Sequence, residues 1–391
     1  MMGKKVAAGG GSVVVILLLV VLRFLGVDVI YEEGSDGEPV VVINDGATQD
    51  SGGAVDDGGG LMGNDEPGMT SSDWYQIYFT EPTCPDESER RGGIDEIMAD
   101  DIRQAREQVD IASFDLDLES LIEALIDREE NGVFVRVVVD DEHTPAAAIN
   151  RLRRNGISVV VDDRSALMHN KFVVIDNRVV WTGSTNFSSN GIYCNNNNLV
   201  RFEVPQLVSN YVAEMDEMYD DRAFGVRSPE ATPAERFEAN GVAFENYFSP
   251  EGKKVEGIIA DWVATADEEV LILAFSFTND LIGAAVMERA EAGVEVWAIF
   301  EKTGSETEYS YYPELRDGGW EKVYAAQDGN SRIMHHKVMV IDRETVIMGS
   351  YNFTASANDS NDENVVIITD AGFASPFVDE FLRLWEEAEI E

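Results

Sequence analysis

Two copies of one motif contain the residues of this chain whose types and spacing could do chemistry. Each copy places a histidine, a lysine, an aspartate, a serine and an asparagine at the same internal spacing. The chain has only 4 histidines, and most of them lie inside these two copies. The motif residues are His169, Lys171, Asp176, Ser184 and Asn186 in the first copy, and His335, Lys337, Asp342, Ser350 and Asn352 in the second.

The local sequence of each copy predicts a β-hairpin that gathers its polar side chains on one face. In the first copy, an apolar and β-branched run follows the lysine, which is typical of a buried strand, and the aspartate begins a turn. Side chains two residues apart on a strand share a face, so His169 and Lys171 face the same way. Ser184 and Asn186 share a face after the returning strand for the same reason. One hairpin can therefore present an imidazole, an ammonium, a hydroxyl and a carboxamide together.

These side chains suit a phosphodiester substrate. The lysine ammonium and the asparagine amide are donors without negative charge, so they can bind phosphoryl oxygens and stabilise charge that develops on them. A neutral imidazole can attack phosphorus, and a protonated imidazole can donate a proton to a leaving oxygen. Two copies that face each other would supply both roles, with one histidine as the nucleophile and the other as the general acid and then the base.

Both copies match the pattern His-x-Lys-x4-Asp-x6-Gly-Ser-x-Asn, and through it the chain resembles the phospholipase D superfamily, whose HKD signature has this form. The likeness extends from about Tyr75 to the C-terminus, where Tyr78–Thr80 is echoed by Tyr247–Ser249. The chain resembles a fused tandem of the one-motif unit of the nuclease-like and cardiolipin-hydrolase-like members. This resemblance implies an α/β fold with two similar phospholipase D-like sandwich lobes and an active site at their interface.

The resemblance also implies a metal-independent reaction through a covalent phosphohistidine, with one histidine from each lobe and no cofactor. The implied ligands of the phosphate oxygens are Lys171, Lys337, Asn186 and Asn352. The implied supporting residues of the site are Ser184 and Ser350, and the implied stabilisers of the hairpin turns are Asp176 and Asp342.

The two copies differ at a downstream position where family members tend to place an acidic residue beside the motif histidine. In the second copy this residue is Glu363, and the equivalent position of the first copy is Asn197. A carboxylate raises the pKa of an adjacent imidazole, whereas a neutral amide orients the ring without adding charge. We therefore predict that Glu363 supports His335 as the general acid. His169, with Asn197 as its partner, is the predicted nucleophile.

The composition sets limits on the partners of the protein. The chain has 391 residues, of which 44% are hydrophobic, so it can build two domains with cores of ordinary size. Its formal net charge of -45 at pH 7 would destabilise a compact fold unless salt screens the repulsion, as in proteins of high-salt environments. An acidic surface also repels polyanions, which disfavours nonspecific binding of nucleic acid at low salt.

Cysteine and histidine are too scarce to predict a zinc or two-metal nuclease site. The 2 cysteines, Cys84 and Cys194, could form a disulfide that pins the loop near Asn197, or could remain as two free thiols. His143 lies outside the motifs, and we expect it to be an ordinary exposed residue.

The N-terminal residues 1–30 are predicted to form a membrane anchor, with a cleaved signal segment as the alternative. Val6–Leu22 carries no charge, and Lys4 and Lys5 before it favour a cytoplasmic N-terminus. No Ala-x-Ala cleavage site follows, which favours an anchor over a secreted protein. The catalytic part would then be extracytoplasmic.

The rest of the chain is predicted to contain one linker and two lobes. Residues 31–72 are rich in glycine and acidic residues, which predicts a disordered linker. Strands and helices alternate from there to the C-terminus, and we expect a first lobe over residues 73–235 and a second over residues 236–391. The last predicted helix, over 373–388, has the apolar periodicity of a packing element.

The leading functional hypothesis is a phospholipase D-type phosphodiesterase that hydrolyses phospholipid head groups. A metal-independent endonuclease on DNA or RNA and a phosphatidyltransferase of cardiolipin synthase type are the alternatives, since the three share their chemistry at phosphorus. The expected partners are thus a phospholipid or a nucleic acid, together with the membrane through the N-terminal segment. The chain is expected to act as a monomer with an intramolecular two-lobe site. Two complete motifs argue against an inactive adaptor.

Overall fold

The computed structural model describes residues 5–7, 29–33, 39–43 and 69–388, and it divides the chain into two compact units, Met1–Asn64 and Asp65–Glu391. The described part of the first unit is an antiparallel sheet in the order β1-β3-β2. Its strands are β1 (Lys5–Ala7), β2 (Val29–Glu33) and β3 (Pro39–Ile43).

Part of this small sheet lies where the sequence predicts a disordered linker, since β3 and most of β2 fall within residues 31–72. Most of the predicted membrane segment and the rest of the linker before residue 69 lie outside the described residues, and both stay predictions. Within the described ranges, no helix combines the length and apolar character needed to cross a bilayer.

The first lobe of the second unit is built on an eight-stranded sheet in the order β4-β5-β12-β10-β9-β6-β7-β8. Pairing is parallel along β6-β7-β8 and antiparallel elsewhere. The strands of this region are β4 (Met69–Ser72), β5 (Tyr75–Phe79), β6 (Gln108–Ser113), β7 (Phe134–Asp140), β8 (Ser158–Asp162), β9 (Lys171–Ile175), β10 (Val179–Gly183), the two-residue β11 (Asn195–Asn196) and β12 (Asn198–Phe202).

Helices cover both faces of this sheet. They are α1 (Ile94–Arg103), α2 (Glu119–Glu130), α3 (Ala146–Arg154), α4 (Ser189–Tyr193) and α5 (Pro205–Asp216), which continues into a π-helical turn (Glu217–Asp221). One apolar core, which includes Val173 of β9, packs against α1, α2 and α3. The next side chain on the opposite face, Phe172, contacts Tyr211 of α5 with ring centroids 5.0 Å apart.

The second lobe repeats this architecture, with the sheet order β13-β14-β21-β20-β19-β15-β16-β17. Its strands are β13 (Arg236–Ala239), β14 (Val242–Ser249), β15 (Glu269–Ala274), β16 (Glu295–Phe300), β17 (Val323–Gln327), the two-residue β18 (Ile333–Met334), β19 (Lys337–Ile341), β20 (Thr345–Gly349) and β21 (Glu363–Thr369). Its helices are α6 (Val255–Ala264), α7 (Asp280–Glu291), α8 (Lys302–Ser305), α9 (Tyr312–Asp317), α10 (Ala355–Asp359) and α11 (Ala371–Glu387).

The matching strand orders confirm the predicted α/β architecture of two similar lobes. The two motif hairpins are β9-β10 and β19-β20, and they occupy the same place in the two sheets. Each hairpin lies at the centre of its sheet, so its strands are buried on both faces.

The last helix of each lobe also contacts the other lobe. Tyr211 of α5 donates a hydrogen bond to Asn364 Oδ1 of β21 at 2.9 Å. Phe377 of α11 packs edge-on against Phe79 of β5, with ring centroids 5.2 Å apart. The C-terminal helix is therefore a packing element, as its periodicity predicts, and the two helices hold the motif hairpins face to face.

A disulfide joins Cys84 and Cys194, so of the two alternatives left open by the sequence the structure contains the bonded one. Cys84 lies in the loop after β5, and Cys194 directly precedes β11. Arg90 crosses the same loop and donates hydrogen bonds to Pro85 O at 3.2 Å and Ser189 Oγ at 2.7 Å. The segment that leads into Asn195–Asn197 is thereby fixed to the body of the first lobe.

Candidate active site

Short backbone pairings between the lobes place each motif histidine. The strand β11 pairs in parallel with β18, with Asn196 opposite Met334, and the next backbone N–H, that of His335, donates to Asn196 O at 2.8 Å. In the same way Met168 bridges Asp362, and His169 N donates to Asp362 O at 2.9 Å. Each motif histidine therefore follows a segment that is already bound to the opposite lobe.

Because of these pairings, each motif histidine contacts the side chain that the sequence analysis assigned to the other histidine. His169 Nδ1 lies 2.7 Å from Glu363 Oε2, and His335 Nδ1 lies 2.9 Å from Asn197 Oδ1. The prediction that Glu363 supports His335, and Asn197 supports His169, is therefore wrong. The physical reason is that each partner directly follows a residue, Asp362 or Asn196, that is paired through the backbone with the other lobe. Its side chain therefore reaches across the interface.

Asn197 and Glu363 each also accept a hydrogen bond from a serine of their own lobe. Ser184 Oγ donates to Asn197 Oδ1 at 2.9 Å, and Ser350 Oγ donates to Glu363 Oε2 at 2.7 Å. The two serines thus lie where the resemblance implies supporting residues.

The orientation of the Asn197 amide decides the tautomer of His335. Its nitrogen Nδ2 donates to Gly191 O at 2.8 Å, which leaves the oxygen to face the imidazole. The Nδ1 atom of His335 is then the donor, and Nε2 is left without a proton. An ionised Glu363 has the same effect on His169, because a carboxylate only accepts. Both rings therefore keep Nε2 available for chemistry.

The motif lysines are buried beside their histidines. Lys171 Nζ donates to His169 O at 2.5 Å, and Lys337 Nζ donates to His335 O at 2.7 Å. Each ammonium also lies over an aromatic ring, that of Phe114 at 5.0 Å or that of Phe275 at 4.7 Å from the ring centroid. These contacts stabilise a cation that burial would otherwise disfavour.

Two aromatic rings that the sequence analysis did not select therefore belong to the site. Phe114 and Phe275 also lie against the motif histidines, with ring centroids 4.7 Å from His169 and 4.8 Å from His335. The sequence contains a signal for them, since each is the last residue of one of two corresponding segments, residues 110–114 and 271–275. His143 is exposed, as expected, but its ring packs on Phe114 at 3.9 Å and its Nδ1 lies 2.8 Å from Asp140 Oδ1.

The motif asparagines follow β10 and β20 at the corresponding places in the two lobes. Asn186 Oδ1 and Asn352 Oδ1 are both buried, and among the described residues neither has a hydrogen-bond partner. Neither oxygen is therefore committed within the protein. The Nδ2 group of each carboxamide is a donor, and it is the atom that can bind an oxygen of a substrate.

The motif glycines permit a close approach of neighbouring backbone. A Cβ atom at Gly183 would lie 2.4 Å from Asn198 O, and one at Gly349 would lie 2.2 Å from Asn364 O. Glycine is therefore required where each hairpin passes the strand that carries the cross-lobe partner. This close packing aligns the serine beyond each glycine with that partner.

The motif aspartates have the structural role that the resemblance implies. The carboxylate of Asp176 accepts from the backbone N–H groups of Arg106, Glu107 and Gln108 at 2.8–3.1 Å. Asp342 accepts in the same way from the backbone of residues 267–269 at 2.8–2.9 Å. Each aspartate thus ties the turn of its hairpin to the segment that leads into the neighbouring strand.

Burial and the two lysines control the electrostatics of the site. Burial, together with the charges of Lys171 and Lys337, lowers the pKa of both motif histidines well below its usual value. Burial also lowers the pKa of Lys171 to about 7 and that of Lys337 well below its usual value. The pKa of Glu363 is raised by burial to about 7, although Lys171 opposes the shift. At neutral pH the resting site therefore holds neutral imidazoles, which suits a nucleophile.

Two α/β lobes that meet around two histidine–lysine pairs define the class of this protein. The family model described as "Cardiolipin synthase, PLD-like domain" matches residues 98–219 and 259–385, which together span more than half of the chain and contain both motifs. The chain therefore belongs to the phospholipase D superfamily, as the sequence predicts, and it has two halves of the PLD-like domain in one polypeptide.

Curated relatives match part of the chain. A phospholipase D of Rickettsia bellii (strain RML369-C) is 35% identical over 127 residues, which are 32% of this chain and 60% of that protein. A mitochondrial cardiolipin hydrolase of Chlamydomonas reinhardtii is 32% identical over 126 residues, which are 32% of this chain and 55% of that protein. The chain thus matches little more than half the length of these relatives.

One solved structure shares the fold over most of the chain, and a second matches a shorter part of it. Phosphatidylserine synthase from Haemophilus influenzae Rd KW20 matches with a TM-score of 0.60 over 81% of this chain and 87% of that chain, at 12% identity. Nuc, a phospholipase D family member from Salmonella typhimurium, matches 38% of this chain and 98% of that chain, with 25% identity and a TM-score of 0.36.

Proposed function

We propose that this protein is a phospholipase D-type phosphodiesterase that hydrolyses the head-group ester of phospholipids through a covalent phosphohistidine. The observation that carries the proposal is the pair of cross-lobe contacts, Glu363 to His169 and Asn197 to His335. They leave Nε2 of each ring without a proton, beside two buried lysines whose ammonium forms an anionic phosphate would favour. One chain supplies both halves of the site, so we propose that it acts as a monomer.

The reaction would proceed in two displacements at phosphorus. In the first, Nε2 of one histidine forms a P–N bond while the P–O bond to the head-group alcohol breaks, and the other histidine gives that oxygen a proton. In the second, the histidine that donated the proton takes one from water, the oxygen of that water bonds to phosphorus, and the P–N bond to the nucleophilic histidine breaks. Lys171, Lys337 and the amides of Asn186 and Asn352 would bind the phosphoryl oxygens in both steps.

We assign the nucleophile to His169 for a reason different from the one drawn from the sequence. Burial and the lysines lower the pKa of both imidazoles, so a neutral resting ring does not distinguish the two. What distinguishes them is stabilisation of the positive charge that the attacking ring acquires when it bonds to phosphorus. Glu363 supplies that stabilisation to His169, whereas Asn197 offers His335 only a neutral oxygen. His335 would take up its proton when the anionic substrate binds.

Phospholipid is the substrate class that the relatives favour, because they are named phospholipase D and cardiolipin hydrolase. The net charge of -45 also disfavours a polyanionic nucleic acid. The predicted N-terminal anchor would keep the lobes close to lipid.

Phosphatidyl transfer is the second candidate, since the matching family model is described as cardiolipin synthase. In that reaction an alcohol, instead of water, would break the P–N bond.

The decisive experiment offers the full-length chain several substrates at high salt. Vesicles of phosphatidylcholine or cardiolipin, with and without glycerol, are compared with single-stranded DNA and RNA. We expect release of head group that continues in the presence of a chelator, at a temperature where circular dichroism shows the chain to be folded. Cleavage of nucleic acid alone would overturn the lipid assignment, and a transferred phosphatidyl group with glycerol would select the second candidate.

Rapid quenching in alkaline denaturant during turnover tests the mechanism itself, because the P–N bond of a phosphohistidine survives alkali and is hydrolysed in acid. Mass spectrometry of the quenched protein should find the substrate phosphoryl group on His169, and His169→Ala and His335→Ala should each abolish turnover. An adduct on His335 would reverse the assignment of nucleophile and acid. Normal turnover in either variant would exclude a shared two-histidine site.

A further inference from the structure

Three buried glutamates form an acidic cluster where the lobes meet. Glu214 lies in the last turn of α5 in the first lobe, and Glu217 begins the π-helical turn after it. Glu251 lies in a 3-10 turn (Glu251–Lys253) of the second lobe. One carboxylate oxygen from each residue lies within 4.8 Å of the others. The cluster is therefore a point where acidic groups of both lobes converge away from solvent.

One oxygen of this cluster has no partner in the protein. Glu217 is 6% exposed, and its Oε2 atom is buried without a hydrogen bond among the described residues. A buried carboxylate oxygen in this state costs free energy unless a positive group or a donor approaches it. The neighbouring carboxylates make that cost greater, because like charges repel.

The second lobe has a glutamate at the position equivalent to Glu214, and there an arginine of the same helix neutralises it. Glu380 follows His336 by 44 residues, as Glu214 follows Asn170, and each glutamate contacts the central residue of its motif. Arg383, three residues beyond Glu380, pairs with it at 2.8 Å. Three residues beyond Glu214 the first lobe has Glu217 in place of an arginine. The first lobe therefore lacks, at this position, the positive charge that the second lobe supplies from its own sequence.

We propose that Glu214, Glu217 and Glu251 bind a hard divalent cation of the calcium class, which links the two lobes. Calcium takes carboxylate and other oxygen ligands at about 2.3–2.6 Å, so oxygens that share one ion lie within about 5 Å of one another. The spacing of the three glutamate oxygens satisfies this condition. Thr232 adds a neutral oxygen at the edge of the cluster, with its Oγ1 atom 3.5 Å from Glu251 Oε2.

The cation would take no part in the reaction and would only hold residues behind the active site in place. Asn170 Nδ2 donates to Glu214 Oε1 at 2.8 Å, and its Oδ1 accepts from Asn364 Nδ2 at 2.8 Å. Asn170 lies between His169 and Lys171, just before β9, but points to the opposite face, because side chains alternate along an extended chain. A cation held by Glu214 would thus stabilise the back of the hairpin and the residue next to Glu363.

Calcium binding to the full-length chain tests this proposal without measuring turnover. The protein is freed of divalent ions with a chelator, dialysed into high NaCl, and titrated with CaCl2 by calorimetry and by thermal unfolding. The parent is compared with Glu217→Gln and Glu251→Gln, and with Glu288→Gln as a control that removes one charge from an exposed helix position. Weak calcium binding to other surface acids is common to all four proteins, so the difference between them reports this site.

We expect one tight calcium site in the parent and in Glu288→Gln, with a rise in Tm. The affinity of that site should fall about tenfold or more in the other two variants, and magnesium should bind more weakly because it requires a smaller, near-octahedral shell. Equal binding in all four proteins would overturn the proposal. A second result would also overturn it: calcium leaves the Tm of the parent unchanged, and Glu217→Gln has a higher Tm than the parent. The carboxyl groups of the cluster would then hold protons in place of a cation.

Discussion

At the scale of single residues, each motif histidine depends on a side chain from the opposite lobe. Glu363 and Asn197 both accept at Nδ1, so both fix a ring and its tautomer, but only one of them carries charge. The two halves of the site therefore share their geometry and differ in electrostatics. This difference is the basis on which we propose separate roles for the two histidines.

Glu363→Gln should preserve the geometry and remove the charge. A glutamine oxygen can still accept from His169 Nδ1, but it cannot stabilise the cation that forms on attack, so we expect kcat to fall by about two to four orders of magnitude. Steady-state kinetics and trapping of the adduct measure this effect. Asn197→Asp is the matched control in the other lobe, and a similar loss of phosphorylation in both variants would show that the carboxylate has no particular link to His169.

The pH dependence of kcat/KM should be a narrow bell centred near neutral pH. Glu363 has a pKa raised to about 7, so it becomes protonated and loses its charge as the pH falls below that value. Lys171 has a pKa lowered to about 7, so it loses its positive charge as the pH rises. A rate profile of the parent and of Glu363→Gln checks this assignment. The acid limb should disappear in the variant, and an unchanged limb would assign it to another group.

At the scale of secondary-structure elements, the hairpins are held by aspartates outside the substrate-binding face. Asp176 and Asp342 each accept hydrogen bonds from three consecutive backbone N–H groups. Such contacts position the whole hairpin, and the catalytic side chains with it. Their loss should first appear in stability.

Asp176→Asn should lower the free energy of unfolding by about 1–2 kcal/mol, because an amide oxygen is a weaker acceptor than a carboxylate. Although burial opposes it, the backbone N–H groups lower the pKa of Asp176. Its contribution to stability is thus present above about pH 4 and is lost as the pH falls through the folded-state pKa. Urea unfolding at pH 7 and at acidic pH measures both effects. A variant as stable as the parent at pH 7 would contradict the structural role.

At the scale of the whole molecule, the fold combines two apolar cores with a large excess of negative charge. The formal net charge is -45, and this excess of like charge repels itself and destabilises the compact state. Tm should therefore rise when NaCl increases from about 0.1 M to about 1 M, where the Debye length shortens to about 3 Å. Calorimetry in chelator, which removes any effect of calcium, measures this rise. A Tm that is independent of salt would show that the surface charge does not limit stability.

The sequence by itself determined the family and the local structure. Identical spacing in the two motifs predicted the hairpins, the residues that each would gather and the family, because strand periodicity and turn chemistry act over a few residues. The alternating strands and helices predicted the two α/β lobes for the same reason. The hairpins and the alternation are found in the two sheets.

Only the tertiary structure decided which residues of the two halves meet. Counting along the chain pairs Glu363 with His335, but backbone pairing between the lobes brings Glu363 to His169 instead. The packing of α5 and α11 across the interface is equally non-local, as is the convergence of Glu214 and Glu217 with Glu251. Sequence periodicity records the face on which a side chain lies. It contains no information on which surface of a distant segment will cover that face, and this is why the division of roles between the two motifs depends on the fold.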